Sequence, residues 1–284
     1  VIGQHNDTTP TFMYSDDLVT WHLGTNNFGS GNVLGVINIV YGQTGTTNVW
    51  ASIAVEDGSS LFTSLDGIYW DDTYFVSELT CIAWGKDDLG VNIWVVGSQY
   101  DYPLRYSYDL TTWTNCSIGS MTSGWRVQFG KDASNVDMWV AIGIDGSNNN
   151  FFYSYDGINW STGNNPTLYS WSYGDWNKIT DLKYIGTGWI FTCFGGTNSG
   201  NYIYYLSSDG INWSANTSYD SVFNLNPPYM VAPCNILGPQ PPPITLSNLI
   251  YYNICNPLSY SGDSSVYDLQ NNTNGTLYNS PASG

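Results

Sequence analysis

Carboxylic acid is the readiest acid–base chemistry in this 284-residue chain: Asp and Glu total 23, only Glu56 and Glu78 are glutamates, and Lys and Arg together number six. Two carboxyl groups facing each other across an acetal suffice for general acid and base work. Asp71-Asp72 and Asp87-Asp88 are the adjacent pairs that answer to this chemistry in name, although acids in a Gly- and Asn-rich chain read first as solvated loop residues. No spacing in the chain marks a metal centre. His5 and His22 are the only histidines, and Cys81, Cys116, Cys193, Cys234 and Cys255 show no C-x-x-C or Cys/His zinc spacing. No D-x-D-x-D-G calcium loop occurs either. The sequence therefore singles out no catalytic residue, no ligand-binding residue, no metal site and no cofactor. Cys81 and Cys193 lie in apolar strand-like runs and read as buried thiols, whereas a Cys234–Cys255 bridge is conceivable.

What must position any such chemistry is a repeated unit. Ser15-Asp16-Asp17-Leu18-Val19-Thr20-Trp21 recurs as Ser64-Leu65-Asp66-Gly67-Ile68-Tyr69-Trp70 and as Ser107-Tyr108-Asp109-Leu110-Thr111-Thr112-Trp113. It returns as Ser154-Tyr155-Asp156-Gly157-Ile158-Asn159-Trp160 and Ser207-Ser208-Asp209-Gly210-Ile211-Asn212-Trp213. Successive motif tryptophans stand 49, 43, 47 and 53 residues apart, the spacing of propeller blades. The motif does turn chemistry: Asp accepts from backbone amides, Ser bonds locally, Gly takes φ > 0 and Trp packs under the turn. Between motifs an apolar run ending in Gly precedes a second strand that opens with Trp50, Trp94, Trp139 or Trp189, all in β-branched and aromatic surroundings. Each unit is then a four-stranded meander. Such a sheet cannot bury both faces alone, and radial stacking does it for several at once. The sequence predicts an all-β fold, a β-propeller of four-stranded blades.

These residues resemble the Asp-box, or BNR, repeat family of sialidases, other glycosidases and many non-enzymatic propellers, over roughly residues 1 to 235. The resemblance implies that Ser15, Asp17, Trp21, Ser64, Asp66, Trp70, Ser107, Asp109, Trp113, Ser154, Asp156, Trp160, Ser207, Asp209 and Trp213 are structural, on outer hairpins away from a central site. Val1-Ile2-Gly3-Gln4 matches a second strand, so the first blade lacks its first. Residues 229–238 have the character to supply it and close a five-bladed ring; otherwise the chain is part of a six- or seven-bladed one.

Residues 1–238 thus read as the propeller, and the Pro-rich stretch 239–246 as a stiff linker. Residues 247–284 carry NPLSYSG, YDL and NGTL in the order found at the opening of concanavalin A-like, laminin-G-type lectin domains, which they resemble. Such a domain is longer, so these residues read as its truncated start.

Composition narrows the function. A formal net charge of −17 with 10% charged residues cannot neutralise a row of phosphates, so no nucleic acid partner is expected, and no apolar run is long enough for membrane insertion. A surface rich in Asn, Ser, Thr, Tyr and Trp suits glycans or a cell-surface receptor. Sialidase chemistry needs an arginine triad, and Arg105 and Arg126 are the only arginines. The expectation is accordingly a non-enzymatic adhesin or receptor-binding protein, extracellular or on a virion surface as in viral or phage fibres. It would recognise glycans and contact other virion or fibre subunits. A structural scaffold is the alternative, and a glycoside hydrolase the third reading.

Overall fold

The computed structural model describes residues 2–4, 11–16, 20–26, 35–56, 58–75, 78–99, 102–145, 151–164, 179–194, 202–216, 265–267 and 274–276. The chain divides into two compact units, residues 1–165 with 210–212, and residues 166–209 with 213–284. It is an all-β propeller of four-stranded antiparallel blades.

In the first unit, blade I comprises β1 (Ile2–Gln4), β2 (Thr11–Tyr14) and β3 (His22–Leu23). Blade II is β5 (Gly35–Thr44), β6 (Thr47–Glu56), β7 (Gly58–Ser64) and β8 (Tyr69–Phe75), with the short β4 (Thr25–Asn26) added in parallel to the outer edge of β8. Blade III holds β9 (Leu79–Lys86), β10 (Asn92–Ser98), β11 (Leu104–Ser107) and β12 (Thr114–Asn115). Blade IV holds β13 (Met121–Lys131), β14 (Asp137–Asp145), β15 (Phe151–Ser154) and β16 (Ser161–Thr162). In the second unit, β17 (Ile179–Tyr184), β18 (Trp189–Phe194), β19 (Tyr202–Ser207) and β20 (Ser214–Asn216) form a further four-stranded meander, and β21 (Ser265–Tyr267) pairs with β22 (Asn274–Thr276). Residues 229–238, expected to supply the first strand of blade I, lie outside the described residues, as do Cys234, Cys255 and the linker.

Why the blades stack is visible in β10. Successive side chains of a strand point to opposite faces, and here both faces are buried. Trp94 and Val96 enter a core with Ala51, Ile53 and Leu61 of blade II. Ile93 and Val95 enter another with Trp139, Ala141 and Phe152 of blade IV. Blades I and II meet through Phe12, which stacks on Trp70 at 3.9 Å between ring centroids and 8° between planes. The first strands also pack on one another in sequence, β5 on β9 and β9 on β13. At about 25 cal/mol per Å² of apolar surface, these interblade cores hold the meanders together, since an isolated sheet leaves one face in water.

Close approach of the backbones requires glycine at one such seam. A Cβ on Gly124 of β13 would stand 2.3 Å from the carbonyl oxygen of Pro103 in blade III, a backbone atom that cannot swing aside. Gly124→Ala is therefore expected to lower stability by about 1–3 kcal/mol. A urea unfolding midpoint equal to that of the unmodified chain would show that the two blades separate here at little cost.

Candidate functional site

Four of the five Ser-x-Asp hairpins have both Ser and Asp described, and three show the same set of hydrogen bonds. In blade II, Ser64 Oγ donates to Asp66 Oδ1 at 3.1 Å and accepts from the Gly67 N–H at 2.8 Å. Asp66 Oδ1 accepts from the N–H groups of Ile68 and Tyr69 at 2.8 and 2.9 Å. The Trp70 indole donates to the Gly67 carbonyl at 3.2 Å. The pattern repeats at Ser107, Asp109 and Trp113 and again at Ser154, Asp156 and Trp160. In the second unit, Ser207 Oγ donates to Asp209 Oδ1 at 2.9 Å, and Trp213 is buried. In blade I, Ser15 and Trp21 are half-buried and Asp17 lies outside the described residues.

Gly67, Gly157 and Gly210 take φ of 76°, 74° and 73°, as the motif requires, and Leu110 takes 63° at the same place in blade III. A left-handed conformation costs an L-residue about 1–2 kcal/mol. Leu110 is buried against Trp94 and Val49, and burying a leucine returns about 1.5–3 kcal/mol, which offsets the strain.

The motif carboxylates are spent on this work. The Tyr69 N–H holds Asp66 below the usual carboxylate range, the Thr112 N–H does so for Asp109, and at Asp156 hydrogen bonds from the Asn159 backbone and side chain outweigh an opposing effect of burial. Depressed folded-state values mean that the stabilisation is present above the unfolded value of about 3.9 and is lost as pH falls through the folded values. The melting temperature should therefore hold from neutrality down to about pH 4 and then fall. Asp109→Asn should flatten that fall; an unchanged acid slope in the variant would show that Asp109 does not contribute to it.

The adjacent acid pairs do not form a catalytic dyad. Asp71 and Asp72 are successive residues of β8, exposed at the outer rim, and alternation sends them to opposite faces. Asp87 is buried in the β9–β10 hairpin, where Oδ1 accepts from the N–H groups of Leu89 and Val91 and Oδ2 from the Tyr108 hydroxyl, while Asp88 is exposed. Cys81, Cys116 and Cys193 are buried free thiols, each pushed up by burial, Cys116 to about 12. Among the described residues no three His, Cys, Asp or Glu group to hold a metal.

The sequence reading missed a second role of the hairpins. Three residues after the motif tryptophan, the chain turns toward the next hairpin. Thr25 N donates to Ile68 O, Ser117 N to Ile158 O and Asn164 N to Ile211 O, each at 2.8 Å. Gly24, Cys116 and Gly163 stand at the crossing, where a Cβ at Gly24 or Gly163 meets the receiving carbonyl at 2.9 or 3.0 Å. That run of small residues is the signal that could have revealed the latch.

A meander puts its first-to-second and third-to-fourth turns on one edge, with the second-to-third loops and blade crossovers on the other. The Ser-x-Asp hairpins occupy the first edge. On the opposite one, Glu56 ends β6, Glu78 immediately precedes β9 and Asp145 ends β14. Glu78 is exposed; Asp145 is 2% exposed and its Oδ2 accepts from the Ser120 hydroxyl at 2.8 Å.

No protein-family model matches the sequence, and no curated protein does. Among solved structures, the fold aligns with an ancestral GH74 enzyme at a TM-score of 0.49 and 16% identity, covering 76% of this chain and 29% of that one. It aligns with a GH43 β-1,3-galactosidase at 0.42 and 12%, covering 64% and 45%. A glycosyl hydrolase from Bacteroides ovatus aligns at 0.38 and 13%, covering 63% and 70%. The chain thus spans less than a third of the first structure's length and a little under half of the second's. At these identities the likeness is one of fold.

The expectation of a non-enzymatic adhesin, receptor-binding protein or scaffold is corrected by these three alignments, which are described as a GH74 enzyme, a β-1,3-galactosidase and a glycosyl hydrolase. The physical reason is that a missing arginine triad removes one chemistry only. Cleaving an acetal takes two placed carboxyl groups, and arginine count says nothing about those.

Proposed function

We propose that this chain is a carbohydrate-active propeller that hydrolyses glycosidic bonds, with its acid and base drawn from the edge opposite the Ser-x-Asp hairpins. The observation that carries the reading is the division of carboxylates between the two edges. On the hairpin edge, Asp66, Asp87, Asp109 and Asp156 are each bound to two backbone N–H groups and are committed to turns. On the other edge stand both glutamates of the chain, Glu56 and Glu78, together with Asp145. Glu78 in water and Asp145 in the interior are carboxyl groups in unlike surroundings, the arrangement from which one fold draws an acid and a base.

The GH43 β-1,3-galactosidase and the Bacteroides ovatus glycosyl hydrolase among the similar structures are described as acting on glycans. The hairpin geometry supports reading the repeats as Asp-boxes and residues 1–238 as their propeller. A lectin-type beginning at 247–284 would add a second glycan-facing module, and a polysaccharide substrate would suit a protein that works outside the cell or on a virion.

The test is release of reducing ends from a panel of neutral polysaccharides and aryl glycosides by the full chain. Turnover that disappears with substitution of the edge carboxylates supports the proposal. A blank panel, or turnover indifferent to every one of those substitutions, overturns it.

A further inference from the structure

Blades III and IV carry the same exposed aromatic assembly on the hairpin edge. Tyr106 of β11 meets Tyr108 edge to face, with centroids 5.8 Å apart at 84°, and the Tyr108 hydroxyl donates to Asp87 Oδ2 at 3.1 Å. One blade further on, Tyr153 of β15 meets Tyr155 at 6.1 Å and 82°, and the Tyr155 hydroxyl donates to Asp132 Oδ2 at 3.3 Å. Tyr108 and Tyr155 remain 41% and 39% exposed.

The hairpin does not need these rings. The same motif position holds Asp16 in blade I, Leu65 in blade II and Ser208 in the second unit. Nor does either ring wander: each is anchored at its hydroxyl to a carboxylate that is itself fixed by two backbone N–H groups of the neighbouring turn. The Tyr108 phenol, pushed up to about 12 by burial and by Asp87, stays a donor across the working pH range. The two blades are held in fixed relation by the Ser117 latch and by the Trp139 indole, which donates to Lys86 O at 2.8 Å.

We infer that the Tyr106–Tyr108 and Tyr153–Tyr155 pairs are two docking platforms for one linear, uncharged glycan chain, remote from the edge that carries Glu78 and Asp145. A rigid, flat, half-exposed aromatic face takes the C–H face of a sugar ring, at small cost in side-chain entropy. Asp87 and Asp132 hold the ring hydroxyls, Asp109 and Asp156 follow the two tyrosines in sequence, and the whole chain carries −17, so an anionic polymer is repelled. Two platforms one blade apart act on a polymer as a bivalent site and hold it without contributing to the chemical step. The inference rests on the glycan reading above, but it concerns binding and is measured without turnover.

Affinity electrophoresis of the full chain through gels containing mannan, galactan or hydroxyethyl cellulose tests it. Retardation by at least one neutral polymer is expected. Tyr108→Leu and Tyr155→Leu, which install the residue blade II already has, should each weaken retardation by about tenfold, and the double variant should abolish it. Equal melting temperatures show that the fold is intact. Undiminished retardation of the double variant, absence of retardation on every neutral polymer, or retardation by polygalacturonate alone would each overturn the inference. A chain that is retarded through the tyrosines yet releases no reducing ends would keep this site and remove the hydrolase reading; the reverse result would do the opposite.

Discussion

Trp139→Ala is expected to lower the stability of the propeller by about 3–5 kcal/mol, the range for emptying a fully buried large aromatic site. Trp139 is 0% exposed and sits in the core shared by blades III and IV, against Ala83 and Val95 on one side and Phe152 on its own. Its indole reaches 53 residues back along the chain to the Lys86 carbonyl. Removing the ring opens a cavity between two blades whose backbones are pinned by Gly124 and by the Ser117 latch, so neither side can collapse to fill it. Trp139→Phe keeps most of the ring and should lose the indole hydrogen bond, worth about 1 kcal/mol, along with part of the packing. Leu89→Ala, at a site 83% exposed, should stay within about 0.5 kcal/mol. Urea midpoints of the three variants decide the matter: if Trp139→Ala shifts no further than Leu89→Ala, the interblade core is not what holds these blades.

The repeat was legible because each part of it obeys a local rule. Ser, Asp and Gly of the hairpins satisfy amides two and three residues away, and that chemistry shows in any seven-residue window. The tryptophans that open the second strands were legible as a pattern, but their purpose was not. Trp94 and Trp139 donate to Gln43 and Lys86, carbonyls in the hairpin of the preceding blade, and such a bond exists only after two blades have stacked. The latches from Thr25, Ser117 and Asn164 were hidden for the same reason, each joining residues more than 40 positions apart. Blade II departs from the rule. Its outer strand continues along β7 through Tyr74 and Phe75, where the others cross over. Leu110 was legible as an exception to Gly, and its left-handed backbone as a compromise between strain and burial was not. Function was not legible because no recognisable catalytic triad marks it in the sequence. Glu56, Glu78 and Asp145 stand apart in sequence, and only the strand order puts them on one edge.

Substituting those acids should have the largest effect on any activity of the chain. Glu78→Gln and Asp145→Asn are each expected to lower kcat by about 10²–10⁴-fold, the usual contribution of a positioned acid or base. Glu78 is exposed, so its variant should melt as the unmodified chain does. Asp145 is buried and bonded to Ser120, so its variant could lose activity by loosening the start of β13. Ser120→Ala breaks the same bond and keeps the carboxyl group, which separates the two causes: a chemical role predicts that Ser120→Ala retains most of the turnover that Asp145→Asn loses. A bell-shaped dependence of kcat/KM on pH should lose one limb in Glu78→Gln and the other in Asp145→Asn, because each limb reports one titrating partner. Variants that keep both limbs and the full rate would move the chemistry elsewhere on the edge, and Glu56 at the end of β6 is then the remaining glutamate to test. Because the hairpin-edge acids are bound by backbone amides that favour the ionised form, Asp109→Asn should leave both limbs in place. A turn-forming carboxylate and a reacting one would thus be told apart by the same pH profile.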